Sequence, residues 1–432
     1  MKKLILIGLL FPLLALGQHE LKGTFSPAED FTYAFLYKMN PKDPEFVGKA
    51  ELDSLGNFNI VLDENAKPGI YKIIYALPAE ANNFDIIYNG KEDVNLNFSL
   101  ENGVEFTSSL ENKQWASYLK SMEVINNTIN NYYTQNGTDK KAFQDIFKTL
   151  SETQRGYENS ADGMLAKTFI KANKPYIPET YEDLKTYSDN FKANYFAHVN
   201  FDDPLLQSST FITDRVNGFI FGLSKDSDAE AYKSHLAILA KALDGSNLDT
   251  RSTLLEMLWQ TFVEKGNETM ANHIAESYLI DIATEEHDLD LMQRLVTYKN
   301  TSLGNVAPDF EVIAGKQRLL ELNEADQYLL VFWSSTCGHC LNELPVLHKE
   351  LKAHPNLKVI AYGLEDTSEN WSETIRQFPD FTHVLGLGKW ENPLVKTYGI
   401  QATPYYFVLD KDKRIVAKPY DLEMLKDYLS KK

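Results

Sequence analysis

Cysteine is almost absent from this chain. Only Cys337 and Cys340 occur among its 432 residues, with two residues between them. A disulfide stabilises a fold mainly by closing a long loop in the unfolded chain, and a bridge between these two would close almost none. The scarcity therefore excludes a disulfide scaffold and favours a chemical role for the pair.

Long apolar runs are also missing, apart from one at the N-terminus. Residues 4–16 form an apolar segment that follows two lysines and precedes a small residue, which predicts a signal peptide of residues 1–17 cut before Gln18. The segment is too short for a comfortable membrane span, and no other stretch approaches the required length. We therefore expect an exported, periplasmic protein, with membrane association only if the signal segment stays uncleaved as an anchor.

Basic residues are in deficit: 43 lysines and arginines face 61 aspartates and glutamates, which gives a formal net charge of −18. An acidic surface repels nucleic acid and anionic lipid, so we expect neither as a partner. The histidines His198, His235, His273 and His287 are scattered and lack the spacing of metal ligands. We predict no metal site and no cofactor.

The patterns along the remaining chain predict a multidomain protein. Residues 18–108 contain short segments rich in Tyr, Phe, Ile and Val with turn residues between them, which is typical of a β-sandwich. Residues 109–300 have apolar residues at helical spacing and predict an α-helical region. Residues 301–432 run strand, helix, strand, hairpin and helix, the order of an α/β domain with a mixed sheet. We expect the N-terminal region to serve docking or dimerisation, so a homodimer is a candidate assembly.

Helical faces can be predicted in the second and third regions. We expect the stretch INNTINNYYTQNGTD, residues 125–139, to form loop ends because it is rich in asparagine and tyrosine. The expected apolar stripes are Trp115, Leu119, Met122, Ile125 and Ile129 in the helical region, and Leu341, Leu344, Leu347 and Leu351 after the cysteines.

The two cysteines lie where a buried strand, QYLLVFWSS, meets an amphipathic helix, CGHCLNELPVLHKEL. A helix N-terminus carries partial positive charge and free N–H groups, which stabilise a thiolate over a thiol. We expect Cys337 at the helix cap, open to solvent, and Cys340 one turn further on and mostly buried. Disulfide exchange needs this asymmetry, because one sulfur attacks as a thiolate while the other waits to resolve the mixed disulfide.

This segment resembles the thioredoxin superfamily. FWSSTCGHC is similar to the family's approach to its active site, with Trp333 in the position of a family tryptophan. IQATPYYFVLD resembles the loop that carries the family's cis-proline, which would be Pro404 with Thr403 before it. The resemblance implies a thioredoxin-like fold and a redox-active disulfide between the two cysteines. It also implies substrate binding by Trp333, Thr403 and Pro404.

The closer resemblance is to the TlpA/ResA-like branch of exported thiol–disulfide oxidoreductases. APDFEV precedes the first core strand, and Glu343 in CLNELP matches the branch's acidic residue. The interval between Cys340 and Pro404 leaves room for the extra strand and helix of that branch. Because Val331 stands where thioredoxin has a buried aspartate, the resemblance implies that Glu343 handles the proton. It also implies protein thiols or disulfides as substrates, and an electron donor that the sequence does not identify.

His339 leaves the direction of electron flow open. CGHC has the inner pair of protein disulfide isomerases, and a histidine there can share positive charge with the Cys337 thiolate, which makes the disulfide a better oxidant. The branch resemblance instead favours reduction. We therefore expect catalytic roles for Cys337, Cys340, Glu343 and His339, in a reductase first and in an isomerase or oxidase second.

Three other classes stay open. A peroxiredoxin also begins with APDF, but its motif requires a proline where Leu330 stands, although Ser334 would fit. A soft-metal carrier could use the two cysteines and His339, but it lacks further ligands at suitable spacing. A binding or scaffold protein with secondary thiols is the most serious rival, because the regions before residue 301 make up most of the chain.

Overall fold

The structure, a computed structural model, describes residues 18–135, 137–223, 228–313 and 315–431. The predicted signal peptide, residues 1–17, lies outside the described residues. The chain divides into two compact units, one ending at Arg251 and the other beginning at Ser252. In the part of the chain that is described, no helix combines the length and the apolarity needed to cross a membrane.

The first unit begins with strands that form two four-stranded sheets. The strands are β1 (Glu20–Ser26), β2 (Tyr33–Lys38), β3 (Glu45–Glu51), β4 (Asn57–Val61), β5 (Gly69–Ile74), β6 (Asn83–Tyr88), β7 (Val94–Ser99) and β8 (Gly103–Phe106). One sheet has the order β4-β1-β7-β8 and the other has the order β3-β2-β5-β6. Side chains of both sheets, among them Phe25 and Ile73, meet in one apolar cluster. The segments that the sequence predicts as strands are YAFLYKM, NFNIVL, GIYKIIYAL, FDIIY and VNLNF, and they are confirmed as β2, β4, β5, β6 and β7.

Helices follow the sheets in the first unit. They are α1 (Leu110–Thr134), α2 (Lys140–Ser160), α3 (Ala166–Ala172), α4 (Leu184–Ala193), α5 (Pro204–Gln207), α6 (Phe211–Asn217), α7 (Ala229–Leu243) and α8 (Leu248–Glu264), and α8 continues into the second unit. The expected loop at the start of INNTINNYYTQNGTD is wrong, because α1 continues through it to Thr134. Met122, Ile125 and Ile129 are buried as a stripe, and the asparagines occupy the solvent side, where a helix tolerates them. Leu119 was expected in this stripe but is 42% exposed.

The second unit continues with helices and then with the α/β domain. Its elements after α8 are α9 (Glu268–Ile274), α10 (Ile280–Glu285), α11 (Leu289–Asn300), β9 (Glu311–Ile313), β10 (Gln317–Arg318), β11 (Gln327–Trp333), α12 (Gly338–Glu350), β12 (Leu357–Glu365), α13 (Glu369–Thr374), β13 (Thr382–Leu387), α14 (Pro393–Tyr398), β14 (Tyr405–Asp410), β15 (Ile415–Ala417) and α15 (Leu422–Ser430). The main sheet has the order β13-β12-β11-β14-β15. Strands β11, β12 and β13 are parallel, and β14 and β15 are antiparallel to their neighbours, so the predicted mixed sheet is confirmed.

The central strand β11 is buried on both faces. Leu330 and Phe332 pack into a cluster with residues of α14, whereas Val331 and Trp333 pack into a cluster with residues of α12 and α15. This explains the continuous apolar run, since a strand covered on both sides needs no polar alternation. A covered central strand holds its C-terminal end firmly, and the cysteine segment follows directly from that end.

The helix α12 buries a slightly different stripe from the expected one. Leu344, Leu347 and Leu351 are buried together with Cys340, but Leu341 is 43% exposed. The reason is the helical period, which aligns positions four, seven and eleven residues after Cys340. Leu341 lies one position further round the helix and faces solvent, so its expected place in the stripe is wrong.

Candidate active site

Cys337 is the N-cap residue of α12. Strand β11 ends at Trp333, and the short segment between strand and helix leaves Cys337 partly exposed. Its Sγ accepts a hydrogen bond from the backbone N–H of Cys340 at 3.3 Å, and both cysteines are free thiols. The expected position at the helix cap is therefore confirmed, and the sulfur lies at the positive end of the helix dipole.

The two thiols differ strongly in their tendency to ionise. Cys340 has no exposed surface, and this burial, together with a hydrogen bond to Cys337, raises the pKa of its thiol to about 12. Burial also opposes ionisation of Cys337, but hydrogen bonds to its sulfur from Cys340 and the backbone N–H of His339 outweigh this, so the pKa of Cys337 lies below its ordinary value of 9.0. The surroundings therefore favour the thiolate of Cys337 and the thiol of Cys340.

The loop before β14 lies against the partly exposed cysteine. The peptide bond between Thr403 and Pro404 is cis, as the resemblance implied. The Cys337 Sγ–H donates to the carbonyl oxygen of Thr403 at 3.4 Å. An extended chain that approaches Cys337 would therefore meet the backbone of this loop.

The prediction made for Trp333 is corrected by its burial. It was expected to bind substrate, but its side chain has no exposed surface and packs in the cluster that contains Cys340 and Leu344. A fully buried side chain offers no contact area to an incoming protein. Trp333 instead forms part of the apolar cluster that surrounds the buried thiol of Cys340.

Glu343 connects an exposed imidazole to a buried hydroxyl. Its Oε1 lies 2.8 Å from Nε2 of His339, and its Oε2 accepts a hydrogen bond from the hydroxyl of Tyr406 at 2.7 Å. The His339 side chain is 70% exposed and that of Glu343 only 15%, while Tyr406 is completely buried. Burial, and then the bond to Glu343, raises the pKa of Tyr406. These three side chains form a hydrogen-bonded path from solvent to the interior beside Cys340.

A buried carboxylate, Glu365, was missed in the sequence. It is 2% exposed and accepts hydrogen bonds from the backbone N–H and the hydroxyl of Ser335, the latter at 2.9 Å. Glu365 ends β12, whose Gly363 pairs with Trp333 in parallel register, so it lies level with the segment that leads to Cys337. The available signal was a single acidic residue at the end of the apolar run LKVIAYGLE.

Metal-binding clusters are absent from the described residues: they contain no group of three or more His, Cys, Asp or Glu side chains arranged to hold an ion. The cysteine pair, its acidic neighbours and the cis-proline loop are groups suited to proton and sulfur chemistry.

Comparisons with known proteins match this domain. A family model described as thioredoxin-like matches residues 326–415. The thiol–disulfide oxidoreductase ResA of Bacillus thuringiensis subsp. konkukian is 26% identical over 136 residues, which cover 30% of this chain and 78% of that protein. A crystal structure of a domain of a possible thiol–disulfide isomerase from Cytophaga hutchinsonii is 32% identical and covers 30% of this chain and 92% of its own, with a TM-score of 0.27.

A thioredoxin domain of a thiol–disulfide oxidoreductase from Bacteroides vulgatus is 25% identical and covers 30% of this chain and 96% of its own, also with a TM-score of 0.27. Through the C-terminal domain that the family model and ResA match, the chain belongs to the thiol–disulfide oxidoreductases of the thioredoxin superfamily.

Proposed function

We propose that the protein is an exported enzyme that reduces protein disulfides through the dithiol of Cys337 and Cys340. The observation that carries the proposal is the contrast between the two sulfurs: Cys337 is partly exposed at a helix cap, and Cys340 is completely buried one turn later. The proposal of export to the periplasm is supported by the signal-like residues 1–17.

The reaction needs two exchange steps. The Cys337 thiolate attacks one sulfur of the substrate disulfide, which forms a mixed disulfide and releases the other substrate sulfur as a thiolate. Cys340 then loses its proton and attacks Sγ of Cys337, which breaks the mixed disulfide and releases the second substrate sulfur. Two electrons pass to the substrate, the enzyme is left with a Cys337–Cys340 disulfide, and an external dithiol must reduce it again.

The second step requires a group that accepts the proton of Cys340, because burial raises the pKa of this thiol to about 12. We assign this role to Glu343, which is held on both carboxylate oxygens and connects to solvent through His339. Thr403 and Pro404 would bind the substrate chain beside Cys337, because the Thr403 carbonyl lies 3.4 Å from its sulfur.

Residues 18–300 precede the α/β domain, and we propose that they form a β-sandwich followed by a helical region. The two sheets of residues 18–108 share one apolar cluster, which supports the expected β-sandwich. This region, with the helical region of residues 109–300, would serve docking of protein partners or formation of a homodimer.

Disulfide isomerisation is the second candidate. It is supported by His339, which stands between the cysteines and keeps 70% of its side chain exposed. In an isomerase the mixed disulfide between Cys337 and the substrate must persist long enough for the substrate to rearrange its own disulfides. Such an enzyme depends on a reactive Cys337 more than on rapid attack by Cys340.

Three variants in two assays test the proposal. Insulin reduction with dithiothreitol as the donor should be lost in Cys337→Ser and in Cys340→Ser, whereas Ser430→Ala, a change on the exposed side of the last helix, should keep it. Reactivation of scrambled ribonuclease that survives in Cys340→Ser would favour the isomerase. Wild-type protein with neither activity would overturn both and would favour a scaffold. A Cys340→Ser pull-down, which traps mixed disulfides, would identify the substrates.

A further inference from the structure

The first unit contains a cavity that the oxidoreductase chemistry does not use. Its volume is about 630 Å³, and it lies between strands of both sheets and the helices α1, α3 and α6. This volume is within the range of small-molecule sites, which is roughly 300–1,000 Å³. Its lining is mostly apolar, with aromatic side chains and one guanidinium: Phe84, Phe106, Trp115, Phe169, Phe211 and Arg215.

Arg215 is largely buried, and its hydrogen bonds go only to neutral groups. Its Nη1 donates to Oδ1 of Asn173 at 2.7 Å, and its Nη2 donates to the carbonyl oxygen of Tyr195 at 2.6 Å. The guanidinium carbon lies 4.4 Å from the centroid of the Tyr195 ring. Nε is buried and has no hydrogen-bond acceptor within the described part of the chain. Two of the five N–H donors are therefore used, and at least one of the others has no partner.

A buried cation without an anion is costly, because the protein interior replaces the hydration shell poorly. In agreement, burial lowers the pKa of the Arg215 guanidinium. Within the described residues, no side-chain carboxylate forms an ion pair with this guanidinium. The charge of Arg215 is thus held in place without a counter-ion from its own chain.

The two carboxylates that line the same cavity do not supply the missing charge. Asp85 forms an ion pair with Lys72 at 2.6 Å and accepts a hydrogen bond from the backbone N–H of Thr210 at 2.8 Å. Asp214 is exposed to solvent. The charge of Asp85 is therefore already compensated by Lys72, and the charge of Asp214 is screened by water.

We propose that this cavity binds an organic carboxylate with an aromatic or bulky apolar body. The carboxylate would accept hydrogen bonds from the remaining N–H groups of Nη1 and Nη2 of Arg215, a planar fork that suits two oxygen atoms. The apolar body would pack among the rings of Trp115, Phe169 and Phe211, which come from three different helices. A small organic acid and the last residue of a peptide share this chemistry.

The test uses the full protein and 4-phenylbutyrate, with titration calorimetry at neutral pH and low salt. Saturable binding is expected, with 4-phenylbutyramide about tenfold weaker or worse because it lacks the charge. Arg215→Gln should reduce carboxylate affinity to that of the amide, whereas Arg155→Gln, at an exposed position of α2, should leave it unchanged. Acetyl-Ala-Ala-Phe with a free or an amidated C-terminus is titrated in parallel, and tighter binding of its free form would assign the site to peptide ends.

A second variant guards against loss of the fold in Arg215→Gln. Ala116→Trp adds a large ring at an exposed position of α1 that lines the cavity, and it should abolish binding with unchanged circular dichroism and melting temperature. Equal affinity for acid and amide, binding that survives Ala116→Trp, or no saturable binding by wild type would each overturn the proposal. Insulin reduction is unaffected by these variants if the cavity is separate in function from the cysteine pair.

Discussion

The buried thiol of Cys340 should make the reduced protein less stable as the pH rises above neutrality. The perturbation is Cys340→Ala, compared with wild type in the fully reduced state. The ordinary pKa of the thiol, 9.0, applies when the chain is unfolded, and burial raises this pKa to about 12 when the chain is folded. A raised pKa on an acidic group stabilises the fold fully below the unfolded value, and this contribution is lost as the pH rises through the folded value.

The magnitude follows from the two pKa values. From pH 8 to pH 10 the unfolded thiol changes from about one-tenth to about nine-tenths ionised, while the folded thiol stays protonated. The free energy of unfolding of wild type, relative to Cys340→Ala, should fall by about 1.4 kcal/mol over this interval. The full loss up to the folded pKa would be about 4 kcal/mol, because three pKa units separate the states and each is about 1.4 kcal/mol.

Urea unfolding at pH 8, 9 and 10, without oxygen and with a phosphine reductant, measures this difference. Subtracting the variant cancels the titration of lysines and tyrosines, which both proteins share. Because the ionisation of Cys337 depends on Cys340, both proteins carry Cys337→Ser, which removes the second thiol from the comparison. Leu347→Ala is the control, because it truncates another buried side chain of the same cluster without removing a titratable group. A difference between wild type and Cys340→Ala that stays constant from pH 8 to pH 10 would refute the reasoning that burial holds this thiol protonated.

Three further outcomes are expected. Iodoacetamide should alkylate Cys337 with a midpoint below the ordinary 9.0, and a midpoint at or above it would contradict thiolate stabilisation at the helix cap. Tyr406→Phe should lower the free energy of unfolding by about 1.5–3 kcal/mol, because a hydrogen bond to the partly buried carboxylate of Glu343 is lost, whereas Tyr405→Phe on the opposite face should not. Glu365→Gln should slow insulin reduction and lower the free energy of unfolding by about 1–3 kcal/mol. The control is Glu369→Gln at an exposed position, and equal effects of the two changes would contradict a special role for Glu365.

The order of elements in the C-terminal domain could be predicted because local signals there agree with the final packing. The strands β11 and β12 are continuous apolar runs, which is what a sheet covered on both faces requires. The position of Cys337 at a helix cap follows equally from local order, since a strand ends and a helix begins within a few residues. In the N-terminal region, strands β1, β3 and β8 were not identified because their apolar alternation is weak or mixed with charged residues.

The side-chain partners of the site could not be predicted, because they depend on register between distant segments. Tyr406 reaches Glu343 only because β14 pairs with β11 so that Tyr406 lies opposite Val331, on the face that α12 covers. Glu365 reaches Ser335 only through the parallel register of β12 against β11. Nothing in the local sequence states either register, so the carboxylate–hydroxyl contacts emerge only from the folded sheet.

The contact between His339 and Glu343 bears on the direction of electron flow. A protonated histidine makes a disulfide more oxidising when its charge stabilises the Cys337 thiolate, because this favours the reduced form. Here the imidazole Nε2 lies 2.8 Å from a carboxylate oxygen, so a positive charge on the ring would be largely compensated by Glu343. The remaining stabilisation of the Cys337 thiolate then comes from the N-terminus of α12, which does not depend on the histidine. The inner pair of CGHC therefore does not by itself make this protein an oxidant, and the contact of His339 with Glu343 is compatible with the proposed reductase.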